Sequence, residues 1–158
     1  MTRVRGALPE DAAQLLDLIR QHALFERATA RVTEAGLVSI LSTDKPLTHL
    51  IVAEDGKSLI GYAAVTFDYA LWTVCRFAHL DCLFVRETAR GQGIGKRLFE
   101  RACLLAEEDG AERIEWQTPS WNLDAIRFYQ REGGTGQPKI RFSRHVNQPE
   151  GSGGSGRH

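Results

Sequence analysis

Apolar residues occupy both faces of the segment from residue 77 to 85, a pattern typical of a strand buried inside a sheet. From Ile94 to Ala106 the apolar positions recur every three or four residues, which is the period of an amphipathic helix. Between the two, the segment from Arg90 to Lys96 places glycine at alternate positions. The sequence therefore predicts a strand, a tight glycine-rich turn and a long helix in succession.

The same patterns predict the remaining elements. Short alternating segments predict strands at 2–7, 49–54, 59–68, 113–118 and 139–146, and amphipathic segments predict helices at 11–25, 33–41 and 122–132. Asp55-Gly56 is typical of a hairpin turn, and Gly110 is typical of the residue after a helix. The predicted fold class is α/β (α+β), with a mixed central sheet of about six to seven strands and about four helices. The long helix should make the fourth and fifth strands parallel.

Composition excludes several classes of function. The chain has 158 residues, of which 42% are hydrophobic and 25% charged, as expected for one globular domain over residues 1–147. Lys and Arg number 20 against 20 Asp and Glu, without a basic and aromatic cluster, so no nucleic-acid partner is expected. No apolar run is long enough to span a bilayer and no signal peptide is recognisable, so we expect no membrane partner.

Cysteine usage and the C-terminal composition complete this picture. The 3 cysteines have no metal-binding spacing, so we expect no metal and interpret them as reduced thiols of a cytoplasmic protein. Residues 148–158 are rich in glycine and serine and are expected to form a flexible tail.

The glycine-rich turn predicts a phosphate site, because glycines let backbone N–H groups approach an anion and the helix N-terminus adds partial positive charge. A dinucleotide fingerprint would need glycine where Lys96 stands, and a P-loop would need Ser or Thr where Arg97 stands. What remains is Arg-x-x-Gly-x-Gly, at Arg90, Gly93 and Gly95. The alternative is a strand–helix turn without a ligand.

This loop resembles the acetyl-CoA pyrophosphate loop of the GNAT superfamily of N-acetyltransferases, and the predicted element order over residues 2–146 is similar to theirs. The resemblance implies acetyl transfer from acetyl-CoA to an amine, with the fourth and fifth strands splayed around the cofactor. It implies that the cofactor contacts the end of the fourth strand, the loop and the last helix, at Leu83, Phe84, Val85, Arg90, Gly91, Gln92, Gly93, Ile94, Gly95, Lys96, Asn122 and Tyr129.

The motif W-N-x-x-A-x-x-F-Y, from Trp121 to Tyr129, supports this resemblance. Asn122 and Tyr129 share a helix face. In the resembled family the asparagine contacts the pantetheine and the tyrosine hydroxyl meets the CoA sulfur. A phenol with a pKa of about 10 is protonated at pH 7 and can donate to the departing thiolate. The alternative is that Tyr129 is a core aromatic.

The attacking amine must be neutral, although an alkylamine has a pKa of about 10, so a nearby carboxylate is the expected base. Asp81 is the candidate, because an acid in a buried strand is rarely placed there for packing. We expect its side chain to share a face with His79 and Leu83. The alternative is a salt bridge within the sheet.

Four segments resemble the spermidine/spermine (diamine) and thialysine N-acetyltransferases: Leu24-Phe25-Glu26, Asp68-Tyr69 with Trp72, Leu80 to Val85, and Trp121 to Tyr129. This resemblance implies Tyr129 and Asp81 as catalytic residues and a homodimer. It also implies substrate binding by Glu26, Asp68, Trp72 and Asp81.

The chemical identity of the acceptor amine stays open at this point. Cys82 stands where a second acid can occur, and the chain lacks the acidity that favours a polycation, so a diamine, a smaller amine or an amino acid side chain is preferred over spermine. The same residues are also consistent with an antibiotic amine, a protein N-terminus or a lysine as the acceptor, and with a catalytically silent acyl-CoA-binding module.

Overall fold

A mixed five-stranded sheet forms the centre of the protein. The computed structural model describes residues 1–147, and the predicted tail at 148–158 lies outside them. The strands follow the chain order across the sheet; the first four pair antiparallel and the last pairs parallel to its neighbour. They are β1 (Thr2–Gly6), β2 (Thr48–Asp55), β3 (Ser58–Ala70), β4 (Cys75–Val85) and β5 (Ile114–Glu115).

Four α-helices cover the sheet: α1 (Ala12–Phe25), α2 (Glu34–Leu41), α3 (Ile94–Glu108) and α4 (Leu123–Arg131). Thr33 caps α2, since its hydroxyl accepts from the Gly36 amide at 3.0 Å, and the predicted Gly110 adopts a left-handed φ of 78° after α3. A 3₁₀ turn at Pro9–Asp11 precedes α1, and another at Glu87–Ala89 follows β4. No helix among the described residues has the length and apolar character needed to cross a membrane.

The strand count is lower than predicted. The strand predicted at 113–118 is reduced to Ile114–Glu115, and the strand predicted at 139–146 is wrong, since these residues are irregular. The apolar side chains that suggested the last strand, Ile140, Phe142 and Val146, are 82%, 88% and 90% exposed. Alternation produces a strand only where a neighbour offers pairing and an apolar face, and the short β5 offers little of either.

The sheet separates two apolar clusters. The α3 cluster packs α3 against one face and includes Val65, Ala78, Leu80, Leu98, Phe99 and Ala102. The α1 cluster packs α1 and α2 against the other face and includes Leu15, Leu18, Leu37, Val52, Tyr62 and Phe84. Each fully buried large side chain contributes about 1.5–3 kcal/mol, so these two layers hold the sheet between the helices.

A β-bulge interrupts β4 at Asp81. Leu80 pairs with Val65 and Cys82 pairs with Ala64, so Asp81 has no partner on β3. The extra residue reverses the alternation: Leu80 packs in the α3 cluster before the bulge, and Leu83 packs there after it. The prediction that His79, Asp81 and Leu83 share one face is therefore wrong, because it assumed an uninterrupted strand.

Candidate active site

A cavity of about 650 Å³ opens where β4 and β5 separate. The two strands pair only at Ala78 with Ile114 and at His79 with Glu115, after which β4 continues to Val85 without a partner on that side. This is the predicted splay. The cavity is bounded by the end of α1, the second half of β4, the glycine-rich loop and α4.

The glycine-rich loop forms one end of the cavity. Gly91 and Gly93 adopt left-handed φ angles of 76° and 77°, and a Cβ atom built on either would meet nothing within 4 Å. Gly95 differs, because it lies in α3 and its Cβ would lie 3.6 Å from the Phe128 ring. Left-handed residues before a helix form a concave surface of backbone N–H groups that suits an anion. The open loop therefore fits a pyrophosphate.

The basic residues of the loop have different surroundings. The Arg90 Nε donates to the Val85 carbonyl oxygen at 2.9 Å, and its guanidinium lies 4.9 Å from the centre of the Phe25 ring. Arg97 turns away and donates to the Thr2 carbonyl oxygen. Lys96 lines the cavity and lies 3.9 Å from Glu100 on the exposed side of α3. Arg90 and Lys96 are thus the loop's cations beside the cavity.

The start of α4 faces the end of α1 across the cavity mouth. The Asn122 side-chain oxygen accepts from the Ala125 amide at 3.2 Å, which caps α4 and leaves the side-chain N–H donors without a hydrogen bond to the described residues. The neighbouring Trp121 ring lies 6.2 Å from the Phe25 ring. Asn122 therefore combines a structural role with donors that a ligand can use.

Tyr129 is half-buried and lines the cavity. Its ring packs within 6.1 Å of three aromatic rings: Phe99, Trp116 and Phe128. Burial, with smaller contributions from the neighbouring Glu26 and Cys82, raises the pKa of Tyr129 to about 12. Tyr129 is therefore both a packing residue and a cavity residue, and its phenol keeps its proton at neutral pH.

Asp81 is exposed to the cavity at the bulge of β4. Its carboxylate accepts a weak hydrogen bond from the Cys82 thiol at 3.7 Å and forms no salt bridge within residues 1–147. The expectation of an acid in a buried strand is therefore wrong, since the bulge turns this residue out of the packed layers. The alternative of an ion pair inside the sheet is not observed either.

His22 is a cavity residue that the sequence analysis missed. It is 9% exposed on α1, where its Nδ1 lies 2.6 Å from the Tyr62 hydroxyl and its Nε2 lies 3.3 Å from Glu26 Oε1. Its ring stacks on Phe84 at 5.0 Å. Burial lowers the pKa of His22, although the negative charge of Glu26 acts in the opposite direction. The four-residue spacing to Glu26 was the available signal, but the buried contact to Tyr62 could not be read from the sequence.

A model of the acetyltransferase (GNAT) family matches residues 12–134. The chain belongs to this family. This GNAT enzyme is 28% identical over 139 residues to a thialysine N-epsilon-acetyltransferase from Mus musculus, an alignment that covers 82% of this chain and 81% of the relative. An L-ornithine N5-acetyltransferase from Arabidopsis thaliana is 25% identical over 179 residues, covering 84% of this chain and 78% of the relative.

A solved aminoglycoside N-acetyltransferase in complex with CoA has the same fold, with a TM-score of 0.75 at 17% identity and coverage of 93% of this chain and 96% of that one. The GNAT enzyme described here is accordingly an acetyl-CoA-dependent N-acetyltransferase.

The structure brings together most of the residues predicted for the site. All the predicted cofactor contacts line the cavity except Gln92, and so do Glu26 and Asp81. Asp68 and Trp72 do not. Asp68 pairs with Phe77, about 13 Å along β4 from Asp81 at about 3.3 Å per residue. Trp72 is 99% exposed at the β3–β4 turn. Asp68 and Trp72 therefore lie outside the cavity in which the other predicted site residues meet.

Proposed function

We propose that this GNAT enzyme acetylates the primary amine of a small cationic acceptor, either a diamine or polyamine or a thialysine-like amino acid, by direct attack in a ternary complex with acetyl-CoA. The observation that carries the proposal is that Glu26, Asp81 and Tyr129 line one cavity with the glycine-rich loop. The thialysine and L-ornithine acetyltransferases among its relatives support an acceptor with two amines.

The glycine-rich loop would hold the pyrophosphate through its backbone N–H groups, with Arg90 and Lys96 supplying positive charge. Leu83, Phe84 and Val85 would align the pantetheine along the free side of β4, and Asn122 would donate to it. Acetyl-CoA supplies a thioester carbonyl that a neutral amine can attack.

Asp81 would accept the proton that the attacking amine must lose, either directly or through a water molecule. Glu26, on the facing helix, would pair with the distal ammonium of the acceptor. Tyr129 would donate a hydrogen bond to the departing sulfur. The Tyr129 phenol, with a pKa of about 12, is a weaker acid than a free thiol, whose pKa is about 8.5. The hydrogen bond would therefore stabilise the thiolate without full transfer of the proton.

A panel of amines tests the proposal by the release of CoA thiol. Thialysine, lysine, ornithine and short diamines should give higher kcat/KM values than monoamines of matched length, an aminoglycoside or a peptide amine. Preference for any of the latter would reject the proposed acceptor class. Acetyl-CoA binding in calorimetry without thiol release from any amine would instead indicate a catalytically silent acyl-CoA-binding module.

We also propose a homodimer, as the subfamily resemblance implies. A second subunit would give a role to Asp68 and to the exposed Trp72, which lie outside the cavity of their own chain. Light scattering at micromolar concentration should give twice the chain mass of 17.6 kDa. A monomeric mass would reject the dimer and the acceptor role of Trp72.

A further inference from the structure

His22 connects the acceptor side of the cavity to the buried layer beneath it. Its Nε2 faces Glu26 Oε1 at 3.3 Å, and its Nδ1 faces the Tyr62 hydroxyl at 2.6 Å. Tyr62 is 2% exposed and packs in the α1 cluster, so it is fixed by its surroundings. The Glu26 side chain is 39% exposed and borders the cavity. The buried Tyr62 thus fixes His22, and His22 contacts Glu26, which a ligand can reach.

These two contacts select one state of the imidazole. A neutral imidazole has one N–H donor and one acceptor nitrogen, and a carboxylate only accepts. This arrangement favours a proton on Nε2, facing Glu26, and leaves Nδ1 to accept from the Tyr62 hydroxyl. The other neutral tautomer would direct a nitrogen lone pair at the carboxylate. Each contact then has a donor and an acceptor.

The surrounding charges are compatible with a neutral imidazole. Burial lowers the pKa of His22, and Arg90 lowers it as well, whereas Glu26 and Asp81 raise it. On β3, burial and the neighbouring Cys82 raise the pKa of the Tyr62 phenol above its usual range, so this hydroxyl keeps its proton and can donate. The negative charge of Glu26 is consequently not cancelled by a neighbouring imidazolium.

We propose that His22 is a positioning residue for the acceptor: Tyr62 fixes it as the Nε2–H tautomer, and His22 in turn holds Glu26 turned into the cavity to receive the distal ammonium. A free glutamate samples several rotamers and loses that freedom on binding a ligand. The contact from His22 Nε2 lies on Oε1 at 3.3 Å and leaves Oε2 to the acceptor. This inference rests on the proposed function, since it assigns the orientation of the acceptor's second charge.

The first test is the tautomer, which is observed in the wild-type enzyme and requires no activity. Two-bond ¹⁵N–¹H correlations of the ¹⁵N-labelled full chain should show His22 protonated on Nε2 and unprotonated on Nδ1 at pH 7. The signals are assigned by their loss in His22→Gln. A proton on Nδ1, alone or on both nitrogens, would overturn the proposal.

The second test compares a diamine with the monoamine that lacks the distal charge. The variant His22→Leu/Tyr62→Phe removes both partners and leaves no unpaired buried hydroxyl, so the fold should survive. It should raise KM for the diamine roughly fivefold, the factor for a half-exposed charge contact, without a change in kcat or in the monoamine KM. His22→Gln keeps a donor for Glu26 and should restore most of the diamine affinity. His49→Gln, on β2 away from the cavity, is the control.

A double-mutant cycle separates positioning from a general loss of structure. In a Glu26→Gln background, His22→Leu/Tyr62→Phe should have no further effect on the diamine KM. An additive effect, or equal effects on diamine and monoamine, would overturn the positioning role while leaving a wild-type preference for diamines intact. A wild-type enzyme without that preference would reject the proposed acceptor and this inference with it.

Discussion

The Arg5 guanidinium donates hydrogen bonds to both carboxylate oxygens of Asp11, at 2.7 and 3.0 Å. The pair joins β1 to the turn before α1, and Asp11 is only 5% exposed. Such a bidentate contact is directional and loses its strength if either charge is removed. It fixes the start of the helix whose other end carries His22 and Glu26.

Asp11→Asn should lower the free energy of unfolding by roughly 2 kcal/mol, because it removes one of the two carboxylates, Asp11 and Glu54, that pair with the partly buried Arg5 guanidinium. The hydrogen bond from Arg5 lowers the pKa of Asp11 below its unfolded value. Its stabilisation is therefore fully present above the unfolded pKa of about 3.9 and is lost as pH falls through the folded pKa. Urea unfolding between pH 7 and pH 2 should show this loss of stability at acid pH in the wild type and a smaller loss in Asp11→Asn. Parallel plots of the free energy of unfolding against pH for the two proteins would contradict this role of Asp11.

Gly93→Val should reduce CoA affinity by more than tenfold. The left-handed φ of 77° is strained for a β-branched residue, and the new side chain would enter the open concave surface of the loop. Gly56→Val is the matched control, since Gly56 has a φ of 61° in the β2–β3 turn and equally open surroundings. Calorimetry should show weakened CoA binding in the first variant alone. Equal affinities in two folded variants would remove the loop from the cofactor site.

Tyr129→Phe should lower kcat by roughly 10²-fold, within the range for loss of a positioned proton donor, and leave the acetyl-CoA KM nearly unchanged. The ring contacts with Phe99 and Trp116 are preserved in the variant. Thermal unfolding should confirm that the fold is intact, and rapid-quench measurements should confirm that chemistry limits turnover. A phenylalanine variant with wild-type kcat would reduce Tyr129 to a packing residue.

Asp81→Asn should lower kcat/KM at pH 7, because the amide cannot accept the proton of the acceptor amine. The activity should recover partly as pH rises, since a larger fraction of the amine is then neutral. Asp17→Asn provides a control on the exposed side of α1 outside the cavity. A pH profile parallel to that of the wild type would show that Asp81 is not the base.

Local chemistry was predictable from the sequence, and contacts across the sheet were not. Gly91, Gly93 and Asn122 are recognisable because a short segment encodes both the backbone conformation and its use. The contact between His22 and Tyr62 joins residues on α1 and β3, and the spacing of residues within either segment does not indicate it. The strand prediction at 139–146 failed for the same reason, because its alternating residues required a neighbouring strand that β5 does not provide.

The bulge at Asp81 implies that the sheet does not need this residue for its register. Leu80 and Cys82 pair with the adjacent residues Val65 and Ala64, so deleting Asp81 would join the two halves of β4 in regular alternation. Phe84 would still face the α1 cluster, and Leu83 would still face the α3 cluster. The deletion would remove only the carboxylate at the cavity and the local bend that a bulge gives its strand. The extra residue therefore contributes to the cavity and not to the packing of the sheet.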